Sequence, residues 1–388
     1  MSRPDPTAPG APGTGGGDGA AAYRRLWAEL DGIGRDPRSG GHRRFAWTSV
    51  DRDLREWFAG AAAARGLDLV VDRAGNQWGW WGDPDRTPGV AAGSHLDSVP
   101  DGGAYDGPLG VVAALAAVDA LRAAGFRPAR PIGVVHFADE EGARFGVACA
   151  GSRLLTGALS ADRAAALRDG EGVGLAEAVR RAGLPAPGPD PDAVRRIGSY
   201  VELHVEQGRG LVDLGAPVGV GTGIRPHGRW RVHLPGEANH AGTTALADRR
   251  DPMLDLARLV LAARAGAQAR GMVATVGKVE VTPNGVNAIP SAVTAWLDAR
   301  GADPAAVRSL VAELSAGRRV VEESWTPATS FDPALAARLA VLLGAPTLGT
   351  GAGHDAGILA GAGVPADCRF AWRTMTRRVR SACRPASY

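Results

Sequence analysis

Short apolar runs alternate with helix-length stretches along the first half of the chain. Apolar runs at residues 67–72, 89–92 and 132–137 predict strands, and the Ala-rich stretch 109–124 predicts a helix between the last two. Alternation of strand and helix is typical of a mostly parallel sheet covered by helices. In such sheets, ligand sites lie at the carboxyl ends of the strands. We therefore predict an α/β fold.

The pattern changes after about Gly215. Residues 228–323 predict strand, helix, strand, strand, helix and strand, an order that resembles a ferredoxin-like module. Helical signals resume at residues 333–343 and 355–362 and predict a return to the first sheet. The predicted division is a disordered tail at residues 1–20, a main domain formed by residues 21–216 and 331–388, and an inserted domain at residues 217–330.

Composition narrows the class of protein. At about 150 residues per domain, 388 residues fit two domains, and 45% hydrophobic with 22% charged residues argues against a mainly disordered chain. The 44 basic and 41 acidic residues nearly balance, so we expect neither nucleic acid nor a membrane surface as a partner. Lys278 is the only lysine. Schiff-base chemistry and a phosphate-loop lysine are therefore not expected.

The cysteines and the amino terminus bear on location. Cys149, Cys368 and Cys383 are too few and too scattered for a disulfide framework or a Cys-rich zinc site. No apolar run approaches the roughly 20 residues of a membrane span. The first 20 residues are rich in Pro and Gly and lack the apolar core of a secretory signal. We expect a cytoplasmic protein.

Three predicted strand ends carry side chains of the kind that bind metals. They are His95, Asp97 and Asp106 in GSHLDSVPDGGAYDG, Glu140 and Glu141 in FADEEGARFG, and His204 in VELHVEQG. Imidazole and carboxylate are the ligands that zinc prefers when thiolates are absent. Singly, each has an ordinary alternative, since Asp in a Gly-rich turn commonly forms the turn. Together they predict a metal centre.

The motifs in combination resemble a known family. GSHLDSVPDGGAYDGPLGV, DEEGARFG, ELHVEQG, NHAGTT and VNAIPS resemble the dinuclear metal amidohydrolases that include allantoate amidohydrolase and N-carbamoyl-L-amino-acid hydrolase, within the aminoacylase and carboxypeptidase-like superfamily. The resemblance runs from Gly34 to Ala366. It implies a zinc-peptidase-like catalytic domain, an inserted ferredoxin-like lid domain that pairs two subunits, two divalent ions (Zn or Mn) and a homodimer.

The resemblance also assigns the metal ligands. It implies that His95, Asp106 and His204 hold one ion, and that Asp106 bridges to a second ion held in part by Glu141.

Two further carboxylates have implied roles around the metals. The resemblance makes Glu140 the general base, and Asp97, two residues after His95, is placed to fix the histidine tautomer. Adjacent glutamates cannot point the same way along an extended strand. One ligand and one base therefore require a turn at the strand end, which Gly142 would allow.

Other residues are candidates for contact with substrate. The resemblance implies that His240, Asn287 and Arg300 of the inserted domain reach a substrate, with His240 serving the neighbouring subunit. An arginine fork and an amide suit a carboxylate, although Asn287 could instead terminate a turn. Gln207 is a weaker candidate. His354 in GTGAGHDAG could be a metal ligand if taken alone, but the resemblance places it beside the site, where it touches substrate.

The expected reaction is hydrolysis of a ureido or carbamoyl C–N bond in a small anionic substrate. We favour allantoate because the stretch from Arg35 to Trp80 is more similar to the allantoate branch of the family. N-carbamoyl amino acids are the alternative.

The carboxyl terminus departs from the family. Family members continue past the GVPA-like segment with a Ser-His-x-Pro-x-Glu-like motif whose histidine completes the second metal site. Here the chain reads DCRFAWRTMTRRVRSACRPASY, and no histidine follows His354. We expect a weakened second site and low or metal-dependent activity. Two alternatives are a substitute thiolate from Cys368 or Cys383, and a catalytically impaired relative that acts as a binding or dimer partner.

Overall fold

The computed structural model describes residues 16–371. The chain divides into two compact units, the first formed by Met1–Gly219 with His354–Tyr388 and the second by Val220–Gly353. The second unit thus interrupts the first along the sequence.

The helices and strands are numbered in chain order. The amino-terminal part of the first unit comprises α1 (Gly16–Asp31), α2 (Ser49–Ala63), β1 (Asp68–Val71), β2 (Gln77–Trp81), β3 (Gly89–His95), α3 (Pro108–Ala123), β4 (Ile132–Phe137), α4 (Ala150–Thr156), α5 (Ala161–Ala166), α6 (Leu175–Arg181), α7 (Pro191–Arg195), β5 (Ile197–Val205) and α8 (Gly210–Leu214). The chain continues with β6 (Val218–Ile224), β7 (His227–Pro235), β8 (Asn239–His240), a 3₁₀ turn (Leu246–Asp248), α9 (Pro252–Ala269), β9 (Val273–Thr282), β10 (Ala288–Ile289), β11 (Ala292–Arg300), α10 (Pro304–Ser315), β12 (Arg319–Thr326), β13 (Thr329–Ser330), α11 (Pro333–Leu343) and β14 (Thr347–Thr350). The return to the first unit contains α12 (Asp355–Gly361) and β15 (Ala366–Ala371).

The strands of the first unit form a mostly parallel arrangement. They lie in the order β1-β2-β4-β3-β5-β15. β3 pairs in parallel with β4 and β5, and β15 pairs in parallel with β5, whereas β1 and β2 are antiparallel at one edge. This confirms the predicted α/β class. The carboxyl ends of β3, β4 and β5 consequently meet at one edge of the sheet.

Helix α3 is apolar on nearly all sides because it packs between the sheet and α1. It begins with Pro108 at its first turn, directly after Gly107 at φ 84°, a start that suits the fixed φ of proline. Leu115 and Val112 are fully buried in the same apolar cluster as Phe58 of α2. Burial of each such side chain stabilises the fold by about 1.5–3 kcal/mol.

Helix α1 reaches the loop that precedes α3. Trp27 stacks on Tyr105 with ring centroids 4.6 Å apart, and Tyr105 directly precedes Asp106. Helix α1 begins at Gly16, so residues 16–20 are helical where the sequence predicted a disordered tail. Buried Leu26 and Leu30 anchor this helix in the core of the unit. The rest of the predicted tail lies outside the described residues.

The second unit contains an antiparallel sheet in the order β12-β7-β11-β9. Helices α9 and α10 contribute Leu259 and Leu310 to its core, where both are fully buried with Trp230 of β7. The chain order β7, α9, β9, β11, α10, β12 is the predicted ferredoxin-like order. Within residues 16–371, none of the helices combines the length and apolar character that crossing a membrane requires.

Candidate metal centre

The parallel pairing of β3, β4 and β5 brings together side chains that are distant in sequence. His95 is the last residue of β3 and lies opposite Phe137, the last residue of β4. His204 lies one residue before the end of β5. Asp106 comes from the loop between β3 and α3. Because the three strands end at one edge, the polar residues at their ends share a common space.

Three of these side chains form a group that fits a divalent ion. The ligand atoms of His95, Asp106 and His204 all lie within 4.8 Å of one another, and His204 Nε2 is 3.1 Å from Asp106 Oδ1. His95 Nε2 is buried and has no hydrogen-bond partner among the described residues. Two imidazoles and one carboxylate are a ligand set that zinc and similar ions accept. An ion here would satisfy the buried nitrogen of His95.

Backbone carbonyls orient both imidazoles. His95 Nδ1 lies 3.1 Å from the carbonyl oxygen of Asp97, and His204 Nδ1 lies 2.9 Å from that of Val205. Each Nδ1–H donates to its carbonyl, which leaves the Nε2 lone pair directed into the group. The sequence assigned this role to the Asp97 carboxylate, but its Oδ1 is farther from His95, at 3.4 Å. The shorter contact is to the main chain of the same residue.

The Asp97 carboxylate instead holds the end of the neighbouring strand. Its Oδ1 and Oδ2 accept the backbone N–H groups of Glu140 (3.1 Å) and Glu141 (2.9 Å). The chain turns sharply at this point, with Asp139 at φ 54° and Gly142 at φ 62°. A Cβ atom at Gly142 would lie 2.4 Å from the backbone of Val147. The turn required for two differently directed glutamates is therefore present, and it requires glycine.

Glu140 and Glu141 lie in different surroundings. Glu140 is buried, its Oε2 is 3.6 Å from His95 Nε2, and its Oε1 accepts a hydrogen bond from the Cys149 thiol. Burial, with support from nearby Asp355 and Glu141, raises the pKa of Glu140 well above its ordinary value even though His95 opposes the shift.

Glu141 is half-buried. Its burial, with the charges of Asp106 and Asp97, raises its pKa to about 7. Among residues 16–371, the close group of ligand atoms is His95, Asp106 and His204 and does not include Glu141.

Charge within the group is unevenly distributed. The hydrogen bond from His204 holds the pKa of Asp106 well below its usual range, although burial opposes this. Burial alone would lower the pKa of His95, but Glu140 and Asp97 outweigh it and raise that pKa. The arrangement therefore favours a carboxylate anion at Asp106 and positive charge near it, whether from a proton or from a metal ion.

Two further predicted residues lie at this centre. Gln207 donates a hydrogen bond from Nε2 to Asp106 Oδ2. His354, which precedes α12, is buried with its ring centroid 4.4 Å from that of His204, and it helps to lower the pKa of Asp106. Both residues are thus close enough to meet a ligand of the centre.

The remaining predicted residues belong to the second unit. His240 of β8 pairs with Ala288 of β10, and the N–H of Ala241 donates to the carbonyl of Asn287. His240 and Asn287 are therefore neighbours.

Arg300 ends β11, where its guanidinium forms two hydrogen bonds with the Asp298 carboxylate, at 2.6 and 2.8 Å, and one with the carbonyl of Gly351. Sequence analysis did not anticipate Asp298 as the partner of Arg300. The sequence did contain a sign of this pairing, because Asp298 lies two residues before Arg300 and therefore on the same face of the strand.

Two buried carboxylates beside the candidate metal centre were not predicted from the sequence. Glu202 is fully buried and accepts hydrogen bonds from Ser94 Oγ (2.7 Å) and the N–H of Ala356 (3.0 Å). Asp355 accepts the Ser152 hydroxyl at 2.5 Å, and burial together with Glu202 raises its pKa to about 8. Glu202 lies two residues before a predicted ligand on a strand, a spacing that places it on the same face.

Cys368 is not among the three residues whose ligand atoms cluster in the described part of the chain. It is fully buried in β15, where its Cα is paired with that of Glu202. Burial and the nearby carboxylate of Glu202 raise its pKa well above the ordinary value. Cys383, the other candidate, lies outside the described residues.

Comparison with known proteins agrees with this architecture. Residues 91–378 match the description "Peptidase family M20/M25/M40". The chain is 43% identical over 285 residues to the N-carbamoyl-L-amino acid amidohydrolase of Geobacillus stearothermophilus, a match that covers 71% of this chain and 69% of that one. It is 34% identical over 295 residues to the allantoate amidohydrolase of Escherichia coli (strain K12), covering 75% and 72%. A third relative, the ureidoglycolate hydrolase of Arabidopsis thaliana, is 36% identical over 285 residues, and the match covers 70% of this chain but only 59% of the relative.

Solved structures show the same fold. An amidase of the hydantoinase/carbamoylase family from Burkholderia vietnamiensis has a TM-score of 0.81 at 30% identity, covering 90% of this chain and 89% of that one. Together, the sheet, the group of ligands at its strand ends and these matches define a metal-dependent hydrolase of carbon–nitrogen bonds. The chain belongs to peptidase family M20/M25/M40, which confirms the resemblance seen in the sequence.

Proposed function

We propose that this protein hydrolyses the ureido or carbamoyl C–N bond of a small carboxylate substrate. The observation that carries the proposal is the group of His95, Asp106 and His204, with the buried Glu140 carboxylate 3.6 Å from His95. A hydrolase of this kind needs an electrophilic centre and an adjacent base, and these four residues supply both.

The proposed cofactors are two divalent ions, Zn or Mn. His95, Asp106 and His204 would hold the first ion, and Asp106 and Glu141 would contribute to the second. The second site would be the weaker one, because Glu141 lies outside the close group of ligand atoms among residues 16–371. When bound, such an ion would supply Lewis-acid chemistry, which would polarise the substrate carbonyl and lower the pKa of the attacking water toward 7.

Glu140 is proposed as the general base and then the general acid. Its Oε2 accepts a proton from the attacking water and passes it to the leaving nitrogen, so the carboxylate returns to its starting state. The position of Glu140 supports this role, because its Oε2 lies 3.6 Å from His95 Nε2, beside the proposed metal ligands. Asp97 acts by holding the turn that positions Glu140 and Glu141.

Substrate contacts are proposed for residues of both units. Asn287 and Arg300 bind the substrate carboxylate through an amide and an arginine fork. His240 stabilises developing negative charge on the oxygen of the scissile group. Gln207 and His354 contact the substrate beside the metals. Residues 217–330 are proposed to form a lid that also joins two subunits, so that His240 serves the partner's site in a homodimer.

Allantoate is the first candidate substrate, from the similarity of the stretch between Arg35 and Trp80 to the allantoate branch. N-carbamoyl-L-amino acids are the second candidate, favoured by the 43% identity to an N-carbamoyl-L-amino acid amidohydrolase. Both carry a carboxylate and a terminal ureido group, so the same centre suits either one.

A side-by-side assay tests the proposal. The purified protein, loaded with Mn²⁺ or Zn²⁺, is given allantoate, N-carbamoyl-L-amino acids and an unmodified dipeptide, and ammonia and the free amine are measured. We expect turnover of allantoate, abolished by chelation and restored by metal. Turnover of N-carbamoyl substrates alone would select the second candidate, and turnover of the dipeptide alone would overturn the proposal. Absence of both turnover and bound metal would favour a non-catalytic binding partner.

A further inference from the structure

The thiol of Cys149 contacts the proposed base directly. Its Sγ donates to Glu140 Oε1 across 3.4 Å. Both side chains are buried, Cys149 at 2% exposure and Glu140 at 7%. The other carboxylate oxygen of Glu140, Oε2, is the one that lies 3.6 Å from His95 Nε2. The two oxygens of one carboxylate thus have different neighbours, a thiol on one side and the metal-ligand group on the other.

The backbone fixes this contact. The N–H groups of Cys149, Ala150 and Gly151 donate in succession to the carbonyls of Glu140, Asp139 and Ala138, at 2.5, 3.0 and 2.8 Å. These three hydrogen bonds tie the start of α4 to the segment that leaves β4. The position of the Cys149 side chain relative to Glu140 is therefore set by the main chain.

The conformation of Cys149 is unusual for its residue type. Its φ of 55° lies in the left-handed region, where a residue with a Cβ atom is disfavoured relative to glycine. Ser152 supports this conformation, because its hydroxyl also lies 3.3 Å from the Cys149 carbonyl oxygen. Glycine would relax the backbone but would remove the thiol that donates to Glu140.

Burial keeps the thiol in its donor form. Burial and the neighbouring Glu140 raise the pKa of Cys149 well above its ordinary value. A neutral thiol is a hydrogen-bond donor but neither a nucleophile nor a metal ligand. In this form its hydrogen bond to Glu140 Oε1 orients the carboxylate.

We propose that Cys149 is a positioning residue for Glu140, holding Oε1 so that Oε2 is the oxygen that exchanges the proton with water and leaving group. This inference rests on the proposed function, in which Glu140 is the base. A carboxylate free to rotate would present the wrong lone pairs for part of the time, and general-base catalysis depends on that geometry.

The chain provides a matched control in Cys368. This cysteine is also free, fully buried and neutral, and it lies on β15. Cys368→Ala removes the same group from an equally buried position without removing the hydrogen bond to Glu140. A general loss of packing should affect both variants, whereas loss of orientation should affect Cys149→Ala alone.

The kinetic test compares Cys149→Ala, Cys149→Ser and Cys368→Ala with the unaltered enzyme. We expect Cys149→Ala to lower kcat on the order of tenfold, with KM, metal content and unfolding temperature close to those of Cys368→Ala. Cys149→Ser keeps a donor and should recover part of that loss. An unchanged kcat in Cys149→Ala, or an equal loss in Cys368→Ala, would overturn the inference.

A spectroscopic test needs neither substrate nor turnover. Raman S–H stretching bands are assigned by their loss in Cys149→Ala and in Cys368→Ala, and are then recorded in Glu140→Ala. The Cys149 band should move to higher wavenumber when Glu140 is removed, while the Cys368 band stays in place. A stationary Cys149 band would refute the hydrogen bond and the inference with it.

If instead the band moves but neither candidate substrate is hydrolysed, the proposed function fails while the contact stands, so the two failures are distinguishable. Should Cys149→Ala not fold, Cys149→Ser supplies the band assignment.

Discussion

Asp97 Oδ2 accepts the backbone N–H of Glu141 at 2.9 Å, which links two segments that are more than 40 residues apart in the sequence. The same carboxylate accepts the N–H of Glu140, and the carbonyl of Asp97 orients His95. One residue therefore positions a proposed metal ligand on one strand and the pair of glutamates after the next. The geometry of the proposed centre depends on this residue as much as on its ligands.

Replacement of Asp97 by asparagine should weaken metal binding. An amide nitrogen cannot accept a backbone N–H, so one of the two hydrogen bonds to the turn is lost. Loss of such supporting contacts typically costs about 10–100-fold in metal affinity. Competition with a chromogenic chelator measures this affinity. Asp101→Asn is the matched control, because Asp101 is exposed in the same loop, its φ of 57° is tolerated by asparagine, and it pairs with Arg43. Equal affinities in the two variants would contradict the prediction.

Glu140→Gln and Glu141→Gln should separate base from ligand. We expect Glu140→Gln to lose on the order of 10²–10⁴-fold in kcat while keeping its bound metal. Glu141→Gln should lose metal, chiefly from the weaker site. Elemental analysis of dialysed protein gives the metal content. Metal loss in Glu140→Gln alone would mean that the two roles are exchanged.

Titration of the metal-free protein with a divalent metal should reveal two ions that bind with different affinities. His95, Asp106 and His204 should hold one ion tightly, because their ligand atoms lie within 4.8 Å of one another. Glu141 lies outside that group in the described part of the chain, so the second ion should bind at least about tenfold more weakly. Calorimetry with Mn²⁺ or Zn²⁺ measures both, and activity should rise only as the second site fills. Two equally tight ions with full turnover at stoichiometric metal would instead indicate a substitute ligand within residues 372–388.

Mixed dimers test whether His240 serves the partner subunit. Glu140→Ala and His240→Ala chains should each be nearly inactive alone. When they are mixed and re-associated, one site in each heterodimer would contain both intact residues, so about half of the activity of a normal dimer should return in the heterodimer fraction. Differently tagged chains allow that fraction to be purified. A verified heterodimer without activity would exclude sharing between subunits.

His136 should make the first unit less stable in mild acid. It is buried, with Nδ1 3.2 Å from Gln77 Oε1, and burial together with Arg55 and His95 lowers its pKa well below 6.5. Below about pH 6.5 the unfolded chain binds a proton that the folded chain does not. The contribution of neutral His136 to the free energy of unfolding is therefore fully present above about pH 6.5. It decreases as the pH drops, by up to about 1.4 kcal/mol per pH unit, until the pKa of His136 in the folded chain is reached.

The comparison for this pH effect is His136→Gln, which lacks the titrating group. Urea unfolding of the metal-free proteins between pH 7.5 and 5, followed by tryptophan fluorescence, should show a smaller loss of stability in the variant. Parallel losses in both proteins would show that other groups account for the acid sensitivity.

The sequence by itself determined the fold class. Through the resemblance to the amidohydrolases it also predicted that His95, Asp106 and His204 lie together, as they do. Apolar periodicity distinguishes buried strands from helices, and parallel strands place their carboxyl ends at one edge, so His95 and His204 were predicted to meet. The turn after β4 was also predicted, because two adjacent glutamates with different roles require a turn and Gly142 permits it. The start of α1 could not be predicted from the sequence. Its first residues are Gly-rich, and they are helical here because buried Leu26 and Leu30 hold the helix in the core.

Tertiary structure alone decided which atoms meet. The sequence placed Asp97 near His95, but only the folded chain assigns its carbonyl to the imidazole and its carboxylate to the turn at Glu140. The contact of Cys149 with Glu140 depends on one side-chain direction, set by a left-handed backbone and three hydrogen bonds between segments. Periodicity reports which face of an element is buried. Hydrogen bonds and pKa values depend on distances of a few ångströms between segments remote in sequence, and those distances exist only after the chain has packed.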